Sequence, residues 1–401
     1  MEVNPSSFTS IKDLTGSIEK GESMLLQGNI ITGRQGFYGT LEIGNSVITR
    51  LTPLGEKRQD ADLILAGFID SHFHGLGPYD AEDPNSLQSV REYAVQKGTT
   101  SLLPTLSALP GDHTFHWLKT LREIIESGQN DGASLLAGAH MEGPYLSHRF
   151  KGGMREDMLR LPSMEEMGEY LKVSGSNIPL VTLAPELPGG KELIGFLKKN
   201  GVTVSLGHSE CPPECFPEMV EKGLSRVCHL FDAYDVPVNK GGVRQPAITD
   251  MALINDNVMI EVILDGLHVP PELVRLIHKA AGAERIIGIT DALQGAGLPE
   301  GRFLCEGRWY VIKDGDVGRL EENGGIVGSS LTMNRAFYNL TEKFSFTEEE
   351  ASKVLSANPG KILPGKKGIL TAGYDADITI LAPDRLTVKE TIIKGRSVYG
   401  K

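Results

Sequence analysis

Short apolar runs alternate with amphipathic stretches through the middle of the chain, and this alternation predicts the fold. Eight runs are near-continuously apolar, as strands covered on both faces are: residues 67–72, 99–106, 134–142, 178–184, 203–208, 226–230, 258–264 and 285–291. Between them, apolar positions recur at helical spacing over 85–97, 113–127, 164–173, 191–200, 214–222, 249–254 and 270–281, and a further amphipathic stretch, 330–344, follows the eighth strand. Eight consecutive β-then-α units predict an α/β fold, a (β/α)8 TIM-type barrel. A doubly wound open sheet would give fewer strands and a glycine-rich first turn, and Gly75-Leu76-Gly77 is too short for a dinucleotide fingerprint.

Both chain ends carry a different texture. Residues 24–31, 39–43 and 46–49 read as short strands, with Gly44-Asn45 as a turn, and 377–381 and 388–393 repeat the pattern. Two β-rich ends flanking one long middle predict a small β-sandwich-like domain built from 1–66 and 364–401, around a barrel spanning 67–363. Residues 1–21 are polar and lack a period, which marks them as an N-terminal extension.

Composition narrows the class. A chain of 401 residues with 40% hydrophobic content can bury a large core. Its longest apolar runs are of strand length, far from the ~20 residues of a membrane span, and no basic-then-apolar leader opens it. The expectation is a cytoplasmic protein with no membrane partner. Four cysteines do not make a disulfide framework, and Cys211-x-x-x-Cys215 lacks the second pair of a structural zinc site. A net charge of −12 argues against a nucleic-acid partner, so an anionic substrate would need a locally basic pocket.

The chemistry gathers at strand ends, where a barrel of this type works. His72 and His74 lie two residues apart, on one face of the first strand's end. The third strand ends in His140-Met141-Glu142, the fifth in His208, the sixth in His229 and the eighth in Thr290-Asp291. A single strand-end histidine or aspartate is usually a helix cap or a loop hydrogen bond. Convergence from five strand ends reads instead as a metal centre. Mixed imidazole and carboxylate donors suit zinc, iron, manganese or cobalt, with a position left open for water.

The same segments resemble the amidohydrolase superfamily and, within it, the N-acetylglucosamine-6-phosphate deacetylases. The likeness runs through Gly67-Phe68-Ile69-Asp70-Ser71-His72-Phe73-His74-Gly75, Glu142-Gly143-Pro144, Gly207-His208-Ser209, His229-Leu230-Phe231, Asp265-Gly266-Leu267-His268-Val269, Thr290-Asp291-Ala292 and Gly373-Tyr374-Asp375-Ala376-Asp377. Glu142 stands where cyclic-amide hydrolases of the superfamily carry a modified lysine, which argues against a cyclic-amide or deaminase-type reaction. The resemblance implies metal ligation by Glu142, His208 and His229, with His72, His74 and Asp291 completing a site for two divalent ions per chain. It also implies Asp291 as the catalytic proton carrier. A barrel that kept its metal only for structure would have no use for such a carrier. The implied activity removes acetate from an N-acetyl amino-sugar phosphate, N-acetylglucosamine 6-phosphate first among them.

The substrate pocket departs from its relatives. Met154 stands where the family usually carries a sugar-contacting histidine, and a thioether donates no hydrogen bond. Asp232-Ala233-Tyr234 replaces the usual Asn-Ala-Met beside the substrate phosphate, and an ionised Asp232 would repel it. Arg244 and His268 match the family's phosphate contacts, and the resemblance implies a homodimer in which Arg244 reaches the neighbouring subunit's site. Arg149, Lys151, Arg155 and Lys240 fall in loops on the same predicted face. The alternative expectation is a deacylase of a different N-acyl amino sugar or amine, unphosphorylated or of another epimer.

Overall fold

The computed structural model describes residues 23–129, 131–305, 308–313 and 315–400; the polar stretch 1–21 lies outside them. Parallel strands curl into a barrel in chain order. Phe68–Asp70 pairs with Thr99–Leu102, and that with Leu135–Leu136. Thr105–Leu106 continues the second strand and pairs with His140–Glu142, followed by Leu180–Leu183, Thr203–Leu206, Leu224–Val227, Met259–Ile263 and Ile286–Ile289.

Two of the eight expected runs, 99–106 and 134–142, are interrupted rather than continuous. Pro104 has no N–H to give to a ladder, so the second strand breaks there, although its carbonyl still accepts from His140 N at 3.1 Å. The third strand breaks around Gly138, whose φ of 132° leaves the strand region.

The seam between the eighth and first strands closes just above the ladder. Asp291 N donates to His72 O at 2.9 Å, His74 N to Ala292 O at 2.7 Å, and the Thr290 hydroxyl to Asp70 Oδ2 at 2.6 Å. Gly75 permits this approach, because a Cβ there would run into the backbone of Gln294.

Helices fill the outside. Gly111–Glu126, Met164–Val173, Gly190–Lys199, Phe216–Lys222, Ile248–Ile254 and Pro271–Ala281 fall where the period placed them, within a residue or two at most ends. Met164–Val173 starts at Ser163, whose hydroxyl accepts from Glu166 N at 3.2 Å, and it buries Met167, Tyr170 and Leu171. The stretch expected as one helix over 330–344 is an α-helix, Met333–Tyr338, that widens into a π-turn, Asn339–Lys343.

The chain ends share one seven-stranded sheet in the order Arg396–Tyr399, Val388–Ile393, Ile378–Leu381, Leu63–Ala66, Ser23–Ile31, Gly36–Gly44, Val47–Gly55. The sheet curls until Val47 bridges Asp375, enclosing Ile30, Leu41, Ile43, Ile64, Ile378 and Ile392. A four-stranded antiparallel insert, absent from the expectation, follows the eighth barrel strand: Glu300–Cys305, Arg308–Lys313, Gly318–Leu320 and Ile326–Gly328. It has its own small core of Leu293, Phe303, Tyr310, Ile312 and Leu320.

Lys367 anchors the junction of sheet and barrel. Its ammonium lies 2.6 Å from Asp377 Oδ2 and 3.1 Å from Asp375, while the Asp377 carbonyl accepts from Gly67 N at the start of the barrel. Both Lys367 and Asp377 side chains are less than a tenth exposed, so removing one strands the other's charge. Lys367→Met should destabilise the fold by ~3 kcal/mol or more, checked by denaturant unfolding. An unchanged midpoint would mean the pair is not carrying the junction.

Candidate metal centre

Glu142 sits at the end of the third strand with 2% of its surface exposed, and its two oxygens face two pairs of histidines. Oε1 lies 3.1 Å from His208 Nε2 and 3.0 Å from His229 Nε2. Oε2 lies 3.3 Å from His72 Nε2 and 3.1 Å from His74 Nε2. Asp291 Oδ1 joins the second pair, 3.6 Å from His72 Nε2 and 3.4 Å from His74 Nε2. The structure therefore brings together all six residues that the strand ends proposed.

Local backbone presents them. His208, His229 and Asp291 leave their strands at φ of 49°, 20° and 46°, a left-handed turn that costs a non-glycine residue roughly 1–3 kcal/mol. The turn aims each side chain across the barrel mouth rather than along its own strand.

The donor atoms fit a cation. His208 Nε2 and His229 Nε2 face each other at 3.1 Å, and two imidazole nitrogens at that distance are satisfied together by an ion between them and Glu142. His72 Nε2 is buried without an aligned hydrogen bond. Two adjoining groups, His72/His74/Asp291 and Glu142/His208/His229, each gather their ligand atoms within 4.8 Å. These nitrogen and carboxylate donors are able to hold zinc, iron, manganese or cobalt.

Charge explains the protonation of the centre. Burial alone would lower the histidine pKa values, but Glu142 outweighs it, lifting His72 to about 10 and His229 to about 9. Burial would raise the Asp291 carboxyl, yet a hydrogen bond from His74 and the charges of His72 and His74 hold it well below the usual range. His140, by contrast, is a neutral core histidine between Thr105 and Thr182, its pKa pushed well down by burial and by the charge of His72.

A cavity of about 130 Å³ opens over the centre, lined by His74, Glu82, Glu142, Met154, His208, His229, Asp232, His268 and Asp291, with Arg308, Tyr310, Leu320 and Val327 from the insert. Asp232, Met154 and His268 thus share one space. Burial would lower the His268 pKa, but the Asp265 carboxylate, 2.6 Å from Nδ1, raises it and favours a cation.

Other expected contacts lie elsewhere. Ala233, at φ 57°, is not among the lining residues. Arg244 is exposed on a hairpin, Asn239–Lys240 and Val243–Arg244, and pairs with Asp250 at 2.9 Å. Arg149 pairs with Asp235, Arg155 with Asp157, and Lys151 donates to Met154 O. Lys240 is exposed on the Arg244 hairpin, away from the cavity lining.

Sequence reasoning missed Glu82, Glu261, Arg226 and the insert's Arg308 and Tyr310. Glu261 had a signal, being the lone acid inside the apolar run Met259-Ile260-Glu261-Val262-Ile263. Glu82, within Asp80-Ala81-Glu82-Asp83, had none.

No protein-family model matches the chain. Among curated proteins it is 33% identical over 339 residues to the N-acetylglucosamine-6-phosphate deacetylase of Lysinibacillus sphaericus, covering 83% of this chain and 84% of the relative. It is 30% identical to the N-acetylgalactosamine-6-phosphate deacetylase of Escherichia coli O157:H7, covering 89% and 93%. The N-acetyl-D-glucosamine-6-phosphate deacetylase of Mycobacterium smegmatis, solved in complex with N-acetyl-D-glucosamine-6-phosphate, superposes with a TM-score of 0.86 at 26% identity, over 94% of this chain and all of that one.

Chelator-stripped protein should unfold at lower temperature than protein loaded with zinc, by about 2.7 kcal/mol of stability at a hundredfold excess over Kd. Because His72 and His229 have folded pKa values above the unfolded ~6.5, their contribution to the stripped protein is full below that pH. It is lost as pH rises through about 9 to about 10. Loaded protein should lack this alkaline loss. Parallel thermal curves for the two forms across the range would contradict metal occupancy at these histidines.

Proposed function

The chain belongs to the N-acetylglucosamine-6-phosphate deacetylases of the amidohydrolase superfamily, and on that premise we propose that it hydrolyses the amide of an N-acetyl amino-sugar phosphate. N-acetylglucosamine 6-phosphate is the substrate best matched, yielding the amino-sugar phosphate and acetate. The observation that carries this reading is the single carboxylate, Glu142, shared between two histidine pairs in a cavity that also holds Asp291 and His268, whose pKa the Asp265 carboxylate raises.

In this reading His208, His229 and Glu142 hold one divalent ion, and His72, His74, Glu142 and Asp291 a second. When bound, such ions polarise an amide carbonyl and lower the pKa of water from 15.7 toward roughly 7. Asp291, kept ionised by its histidine neighbours, takes a proton from the attacking water as its oxygen bonds to the carbonyl carbon. The same carboxyl then returns that proton to the nitrogen as the C–N bond breaks, so the amine leaves neutral. His268, which lines the same cavity, would neutralise part of an anionic substrate group.

The exposed hairpin supports a homodimer. Val236, Val238 and Val243 are each more than three-fifths exposed beside Arg244, an apolar surface that a second copy would cover while bringing Arg244 to its partner's cavity. Among the described residues no helix is long and apolar enough to cross a membrane, in keeping with a cytoplasmic enzyme of amino-sugar metabolism.

A second reading rests on Asp232 and Met154. An acid and a thioether in the substrate cavity suit a different epimer, or an N-acyl amine with no phosphate.

Asp291→Asn should retain metal but lose ~10²–10⁴-fold in kcat, measured by acetate release; near-normal turnover would remove Asp291 from its role. Across a panel of N-acetyl hexosamines, loss of the 6-phosphate should lower kcat/KM by roughly 10- to 100-fold, the worth of one hydrogen bond to a charged group. Equal values with and without phosphate would favour the second reading.

A further inference from the structure

The four histidines of the centre differ in what stands behind them. His208 Nδ1 donates to the Phe150 carbonyl at 2.6 Å, and His229 Nδ1 to the Asp232 carbonyl at 3.3 Å. Behind the other pair stand carboxylates. His72 Nδ1 lies 3.2 Å from Glu261 Oε2, and His74 Nδ1 lies 3.0 Å from Glu82 Oε1. Both acids are buried, at 0% and 5% exposure.

Neither carboxylate is a chance neighbour. Glu261 rises from the seventh strand in an ion pair with Arg226 of the sixth, itself 1% exposed, and Arg226 Nη2 donates to Ser71 Oγ at 2.6 Å, next to His72. Glu82 Oε1 also accepts from Ser107 N at 2.8 Å, and the Glu82 carbonyl meets His113 Nε2 at 2.8 Å. Two charges are thus brought into the barrel mouth, at the desolvation cost of any buried acid, and each is aimed at the Nδ1 of one histidine.

Taking His72 and His74 as ligands, the premise of the proposed function, we propose that Glu261 and Glu82 are positioning residues that make the second ion site a firmly held one. Each carboxylate accepts the Nδ1–H, fixes the tautomer with the Nε2 lone pair toward the ion, and makes the imidazole a stronger donor. The His208/His229 side, backed only by carbonyls, gains no such charge. Arg226 holds Glu261 in place, so this half of the device draws on three barrel strands, the first, sixth and seventh.

The test uses zinc-loaded full-length enzyme dialysed against graded chelator, with zinc counted per chain. Wild type should hold two ions and release the second in one step. Glu82→Leu should release that ion at ~10- to 100-fold lower chelator, while the first ion leaves as in wild type. Glu82→Gln, which keeps an acceptor but no charge, should fall between, an order that simple loss of packing would not produce. Glu261→Gln should shift the same step, and Glu82 keeps the inference testable if the stranded Arg226 prevents that variant from folding. Second-ion release at wild-type chelator in both Glu82→Leu and Glu261→Gln would overturn it. A variant with both His72 and His74 replaced by glutamine separates the two levels. If it holds one ion while the glutamate variants behave as wild type, only the positioning role falls; if it still holds two, the ligand assignment itself falls.

Discussion

Everything at the mouth of this barrel follows from burying one carboxylate. An ionised Glu142 at 2% exposure is tolerable only if cations or strong donors surround it, and four imidazoles do so from three other strands. Each donor comes from a strand end, where the chain must turn anyway, and three of the surrounding residues accept a left-handed backbone to reach it. The arrangement makes sense as a cradle for divalent charge. With protons alone it would leave imidazole nitrogens facing each other at hydrogen-bond distance.

The fold and the innermost donors were legible because both are periodic. Strands covered on both faces read as apolar runs, and working residues in such a barrel fall at their ends, so His72, His74, Glu142, His208, His229 and Asp291 identified themselves by position. The surrounding layer follows no such rule. Glu261 points inward from mid-strand and Arg226 meets it from the neighbouring strand, a pairing that depends on lateral register rather than on spacing along the chain. The insert escaped notice because its strands are three to six residues long, rich in glycine and charge, and folded on a private core.

The lining of the cavity was the least legible part for a related reason. Its residues come from loops and from the insert, whose positions are set by contacts far apart in sequence. Arg308 and Tyr310 reach the cavity from a sheet that begins after the last barrel strand, and Met154 reaches it from the loop after the third. A resemblance carried by strand-end motifs therefore speaks to the reaction more firmly than to the sugar it acts on.

The seam between the last and first barrel strands has a consequence for how the protein matures. Asp70 and Thr290, 220 residues apart, meet there, and the backbone bonds beside them join Asp291 to His72 and Ala292 to His74. Contacts this distant form late, after the intervening loop entropy has been spent. Half of the donor set is thus assembled by the same event that closes the barrel. With that seam open His208 and His229 can still meet Glu142, but only its closure brings all six side chains to one place.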